Sequence, residues 1–209
     1  MKKSKNVVSI IGGADGPTSI FLAGRSGRKS LKVRIQNYKY RCKSKRAKKK
    51  IVVGIHTLEE LVRYAVDNFG AIEVNSSERN YMEQRKDLKE SLILRNKPEL
   101  LGEMSDISEP DLSDEASVKD FFNQLQMRSE MIAKIPDYEM PMDFHIYEIK
   151  VGDNCLEMHI DYMWEIFAIS YSGNMQKIAQ ALYIYYGVSE DDIREKTERY
   201  SALLAVLSA

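Results

Sequence analysis

The chain has 209 residues, with 31 Lys or Arg balanced by 31 Asp or Glu. That length allows one domain or two small ones with a substantial buried core. Two cysteines, Cys42 and Cys155, stand in dissimilar contexts without a CxxC, which argues against a disulfide framework or a structural zinc site and fits a reducing cytoplasm.

The zero net charge conceals a segregation. Residues 1–50 hold sixteen Lys or Arg against one acid, Asp15, a net of +15, and residues 51–209 hold fifteen against thirty, a net of −15. On this basis the chain divides into a basic N-terminal segment, 1–54, and an acidic α+β domain, 55–209, or forms one continuous domain from the two.

At the start, Val7–Ile11 and Thr18–Leu22 are short runs rich in β-branched and aromatic residues, separated by the turn-forming GGADGP. They predict a glycine-tipped β-hairpin. The apolar stretch is broken by Gly12, Gly13, Asp15, Gly16 and Pro17, so it reads as part of the mature fold and not as a signal peptide. It is also too short and polar to span a bilayer, and no membrane association is expected.

The segment Ile11–Ala23, IGGADGPTSIFLA, resembles the GGADGPT segment of sodium-translocating carboxylic-acid decarboxylase β-subunits. The resemblance implies a Na+-handling role for Asp15, within a membrane-embedded ion path. The whole chain also resembles small bacterial proteins that carry the decarboxylase label through this motif alone. The family's membrane helices have no counterpart in this sequence, so the motif is carried over without the transport activity. As a soluble loop, Gly12, Gly13, Asp15 and Gly16 offer backbone N–H groups that suit an anion.

From Arg25 to Lys50 there are thirteen Lys or Arg and no acid. The run fits both a strand (Leu31, Val33, Ile35) and a helix (Leu31, Ile35, Tyr38, Cys42). The absence of Gly and Pro over residues 29–53 favours the helix. Self-repulsion on this scale calls for an acidic surface of the same chain, an acidic protein partner, or a polyphosphate. The candidate contacts are Arg28, Lys29, Lys32, Arg34, Lys39, Arg41, Lys43, Lys45, Arg46 and Lys48.

Thr57-Leu58-Glu59-Glu60 is a capping box opening an amphipathic helix that Gly70 ends. A short strand at Ala71–Asn75 and a charged helix, Ser77–Asn96, follow, the latter stopped at Lys97-Pro98. PELLGEM reads as a turn of helix ending at Gly102. The stretch Glu103–Glu115 is rich in acids with no base, and is the natural internal counter-charge to the basic run. Helix Ser117–Ile135 is predicted to bury Val118, Phe121, Phe122, Leu125, Met131 and Ile132.

Phe144–Val151 and Cys155–Trp164 predict a β-hairpin around Gly152-Asp153-Asn154, with a third strand in Glu165–Ser172. A helix runs from Gly173-Asn174 to Tyr186, and Ser189 with Asp192 caps a last helix to about Leu207. The fold class is α+β: the N-terminal hairpin, the basic segment, helices, then an antiparallel hairpin or three-stranded sheet followed by two helices.

A three-residue turn in the C-terminal hairpin would place His145 opposite Asp161 and Tyr147 opposite His159. These four would share one face, a candidate acid–base or divalent-metal group suited to RNA cleavage. No nucleotide-binding, zinc-protease or hydrolase signature occurs, and no cofactor or dedicated metal site is expected. The favoured expectation is a small accessory protein that binds RNA, DNA or a ribonucleoprotein through its basic segment. The alternatives are a protein-interaction inhibitor of a nucleic-acid enzyme, like those that phages and mobile elements direct against RNA-guided nucleases, and a small histidine-based or metal-dependent ribonuclease. An enzyme is the less favoured class.

Overall fold

The computed structural model describes the backbone of residues 6–9 and 21–24, residue 38, and residues 42–208. Strands β1 (Asn6–Ser9) and β2 (Phe21–Gly24) pair antiparallel, with Asn6 opposite Gly24 and Ser9 opposite Phe21. These paired strands are those of the expected hairpin. The tip, with Gly12, Gly13, Asp15 and Gly16, lies outside the described residues.

Residues 42–48 form helix α1, so this part of the basic run takes the helical alternative. β3 (Gly54–Ile55) precedes α2 (Leu58–Phe69). Thr57 accepts from the Glu60 backbone N–H while the Glu60 carboxylate accepts from that of Thr57, completing the capping box. At the other end Gly70 adopts φ 66°, and its N–H reaches the last-turn carbonyls.

β4 (Ile72–Glu73), β5 (Phe144–Val151), β6 (Asn154–Asp161) and β7 (Ile166–Tyr171) form one antiparallel sheet in that order. The inserted α3 (Arg79–Asn96), a 3-10 segment (Pro98–Ser105) and α4 (Glu115–Lys134) carry the chain between β4 and β5. After the sheet come α5 (Gln176–Tyr186), β8 (Gly187–Val188), α6 (Glu190–Glu195) and α7 (Glu198–Ser208). The single terminal helix expected from the sequence is thus two. Lys196 takes the left-handed conformation at φ 56° and stops α6 after its Ser189–Asp192 capping box.

Alternation along the strands gives the sheet two unlike faces. Ile149, Leu156, Met158 and Ile160 are fully buried against α2 and α5, where Leu61, Ala65, Ala179 and Leu182 are equally inaccessible. The opposite face, carrying Phe144, Glu148, Cys155, Glu157 and His159, looks toward α3. There the Tyr81 hydroxyl donates to the Phe144 carbonyl at 2.5 Å and Asn80 donates to Glu157 at 2.9 Å. A second core of Leu92, Ile93, Leu101, Ile132 and Met140 joins α3, the 3-10 segment and α4. Of the six residues expected to be buried on α4, Ile132 alone is; Phe122 and Met131 face solvent.

A third cluster, Tyr183, Val188, Tyr200 and Leu203, receives Ile51 and seats the end of the basic run against α5 and α7. β3 pairs with β8 in the same region, an element the sequence reading did not anticipate. Gly187 makes this pairing possible: it holds φ 68°, and an added Cβ would sit 2.0 Å from the Gly54 carbonyl oxygen. Arg199 ties the junction together, donating to the carbonyls of Tyr186, Gly187 and His56, with its guanidinium 3.5 Å over the Tyr186 ring. His56 stacks on Tyr185, which stacks in turn on Tyr64, each pair of rings 4.0 Å apart. The tyrosines of LYIYYG are therefore packing residues, with Tyr183 and Tyr186 buried.

Candidate functional site

The basic segment reaches the folded body through α1. A helix whose sequence alternates small and cationic residues can dock only by the small ones. Ala47 is 2% exposed and the Ser44 hydroxyl lies 3.4 Å from that of Ser208. Lys43, Lys45, Arg46 and Lys48, with Lys49 and Lys50 in the following turn, all lie on the exposed side. Among the described residues, Lys45, Arg46, Lys48, Lys49 and Lys50 form no ion pair. The other expected contacts, Arg28, Lys29, Lys32, Arg34, Lys39 and Arg41, lie outside the described residues.

The acidic run does not supply the missing partners. Asp111 accepts from the backbone and hydroxyl of Ser113, and Asp114 caps α4 by accepting from the Ala116 N–H. No described ion pair joins residues 103–115 to residues 45–50. Cations elsewhere do find carboxylates. Lys89 and Arg85 share Asp137, Arg128 meets Glu90, and Arg95 meets Glu198. The contrast between these paired cations and the unpaired group at 45–50 distinguishes that surface.

The second candidate group comes apart in the sheet. The turn after β5 has two residues, Gly152 and Asp153, so Val151 faces Asn154 and the register is one residue away from the three-residue expectation. Such a shift exchanges the faces of one strand relative to the other. His145 now lies opposite Ile160 and Tyr147 opposite Met158, while His159 pairs with Ile146 and Asp161 with Phe144. His145 and Tyr147 therefore stand on one side of the sheet and His159 and Asp161 on the other. The expected four-residue group is not assembled.

Each residue has a local role instead. His145 Nδ1 lies 2.6 Å from Glu73 and Nε2 lies 3.1 Å from Asp143. Carboxylates only accept, so this geometry favours the imidazolium, in which both ring nitrogens donate. Burial works against that charge, but the hydrogen bonds to Glu73 and Asp143 outweigh it and the pKa is raised. In that protonated form the ring has no lone pair with which to act as a general base. Tyr147 and Tyr162 pair through their hydroxyls beside it, and burial first, then this contact, raises the Tyr147 pKa.

Asp161 is fully buried. Its Oδ1 accepts from the backbone N–H groups of Met163 and Trp164, at 3.0 and 2.9 Å, and so builds the β6–β7 turn. Desolvation raises its pKa. Its Oδ2 meets no hydrogen-bond partner of good geometry among the described residues. Trp164 follows and donates its indole N–H to the Pro141 carbonyl. Glu165, the next residue, sits at φ 51°, a left-handed conformation uncommon for a residue with a Cβ.

A cavity of about 360 Å³ opens at the start of α2, lined by His56, Glu59, Tyr162, Glu165, Tyr186 and Arg199. Arg199 is the natural anchor for an anion there. Its bonded N–H groups point to three backbone carbonyls, and two carboxylates share the lining, so the arrangement is a structural tie. No helix among the described residues is long and apolar enough to cross a membrane.

Comparison with known proteins adds no further constraint: no family model, curated protein or solved structure matches the chain.

Proposed function

We propose that this α+β protein is an accessory factor that binds a polyanion, RNA or DNA alone or within a ribonucleoprotein, through the cationic surface that α1 begins. One observation carries the proposal: five exposed cations within residues 45–50 lack ion pairs among the described residues, while the acidic run nearest in charge serves its own turn and helix cap. Like charges so close repel one another, and a phosphate backbone relieves that repulsion while releasing its counterions. No recognition signature accompanies the cations, so the binding proposed is electrostatic and indifferent to base sequence.

A partner protein is the second reading, supported by the outward-facing Phe122, Met127 and Met131 on α4 beside the acidic run. Purification from cells with and without nuclease separates the two. Recovered nucleic acid that nuclease removes supports polyanion binding. A stoichiometric protein that survives nuclease, with no nucleic acid in the untreated sample, overturns it in favour of the second reading.

A further inference from the structure

Across the sheet face that looks toward α3, two glutamates stand directly opposite each other in the β5–β6 ladder, Glu148 against Glu157, with Cys155 beside them. Their side chains are about three-quarters buried, at 25% and 22% exposure. Facing like charges on adjacent strands are destabilising unless a cation or proton lies between them. One oxygen from each carboxylate and the Cys155 sulfur all lie within 4.8 Å of one another.

We propose that Glu148, Cys155 and Glu157 form a binding site for a zinc-like divalent cation. The donor set, one thiolate and two carboxylates, is one that zinc accepts. Zinc–sulfur and zinc–oxygen bonds of about 2.3 and 2.1 Å at the tetrahedral angle put sulfur and oxygen about 3.6 Å apart. Cys155 Sγ is now 2.9 Å from Glu148 Oε1, so this pair opens by well under an ångström while the third donor draws in.

The surroundings already hold the carboxylates in place. The far oxygen of Glu148 accepts from Lys150 at 2.6 Å, leaving Oε1 toward the thiol. Glu157 accepts from Asn80 at 2.9 Å and from Ser170 and His159 at 3.4 Å. These contacts orient the donors, and a water would complete a fourth position. A cavity of about 290 Å³, lined by Asn80, Gln84, Cys155, Glu157 and Ser170, gives an ion a route from solvent.

In the free protein the Cys155 thiol donates to Glu148 Oε1. On binding, the sulfur–hydrogen bond breaks, its proton passes to solvent, and a sulfur–metal bond forms, with no change of oxidation state. The ion replaces the proton that Cys155 shares with Glu148 and adds Glu157 as a third donor, an arrangement that a lone thiol or an acidic patch would not offer.

The test uses the full chain and cadmium(II), whose sulfur-to-metal charge-transfer band reports thiolate coordination directly. One equivalent of cadmium should develop the band in the parent and in Cys42→Ala, and Cys155→Ser should abolish it. Glu148→Gln and Glu157→Gln should each weaken binding at least about tenfold, with melting curves showing that the variants fold. A band that persists in Cys155→Ser, no band in the parent, or unchanged affinity in both glutamine variants would overturn the proposal. Zinc should displace cadmium and erase the band; failure to do so also overturns it.

Discussion

Lys89 gives the structure a test of its own. The side chain leaves α3 almost fully buried and donates to the Ile135 carbonyl at 2.5 Å and to Asp137 Oδ1 at 2.9 Å, fastening α3 to the residues that follow α4. Lys89→Met keeps most of the packed stem and removes both bonds. The Asp137 carboxylate is 61% exposed and keeps Arg85, so losing its bond to Lys89 costs under about 1 kcal/mol. The carbonyl loses a charged donor, which costs about 1.5–3 kcal/mol. The sum, about 1.5–4 kcal/mol, should lower Tm by roughly 3–16 °C at about 2–4 °C per kcal/mol for a chain of this size. Calorimetry or urea titration at neutral pH reads the difference directly. Asp137→Ala is the control and should cost less than about 1 kcal/mol. Equal losses in the two variants, or a Lys89→Met protein as stable as the parent, would refute the assignment of the energy to the buried carbonyl bond.

Two further predictions follow from the sheet and its neighbours. The raised pKa of His145 means that its link between Glu73 and Asp143 is fully stabilising below about pH 6.5 and is lost as pH rises through the higher folded-state value. Urea midpoints should therefore fall from pH 6 toward pH 8 in the parent and fall less in His145→Gln; parallel curves would contradict this. Gly187→Ala should destabilise by at least about 2–3 kcal/mol, because the added carbon meets the Gly54 carbonyl and the backbone there is strained for any other residue. A silent substitution, measured by thermal melting, would mean that β3 and β8 are not paired as described.

Local chemistry made parts of this fold legible in the sequence. The Thr57–Glu60 capping box, the Gly70 stop and the Lys97-Pro98 end of α3 each rest on contacts within a few residues, and each is present. The C-terminal hairpin was legible too, but its register was not. Gly152-Asp153 and Gly152-Asp153-Asn154 are both acceptable turns, and the choice depends on which residues the flanking helices bury. That one-residue difference separated the four candidate catalytic residues. Burial on α4 failed for a related reason: Val118, Phe121 and Phe122 repeat like a core stripe, but the 3-10 segment and α3 cover only the end near Ile132. The Glu148–Cys155–Glu157 group left no spacing signature, because its members meet across strands. Once the register is known, opposed glutamates flanking a cysteine are the signal.

The cationic surface is best tested by the salt dependence of binding. A labelled random-sequence DNA duplex would be titrated with the parent and with a variant carrying Lys45, Arg46, Lys48, Lys49 and Lys50 as Gln, from 50 to 200 mM salt. Each lost phosphate contact should reduce the slope of log K against log salt by about 0.9. Five contacts amount to about 4.5, or a roughly 500-fold difference in salt sensitivity across that range. The variant should show a shallower slope and weaker low-salt binding than the parent, whatever the base sequence. Identical slopes and affinities for the two proteins would contradict this.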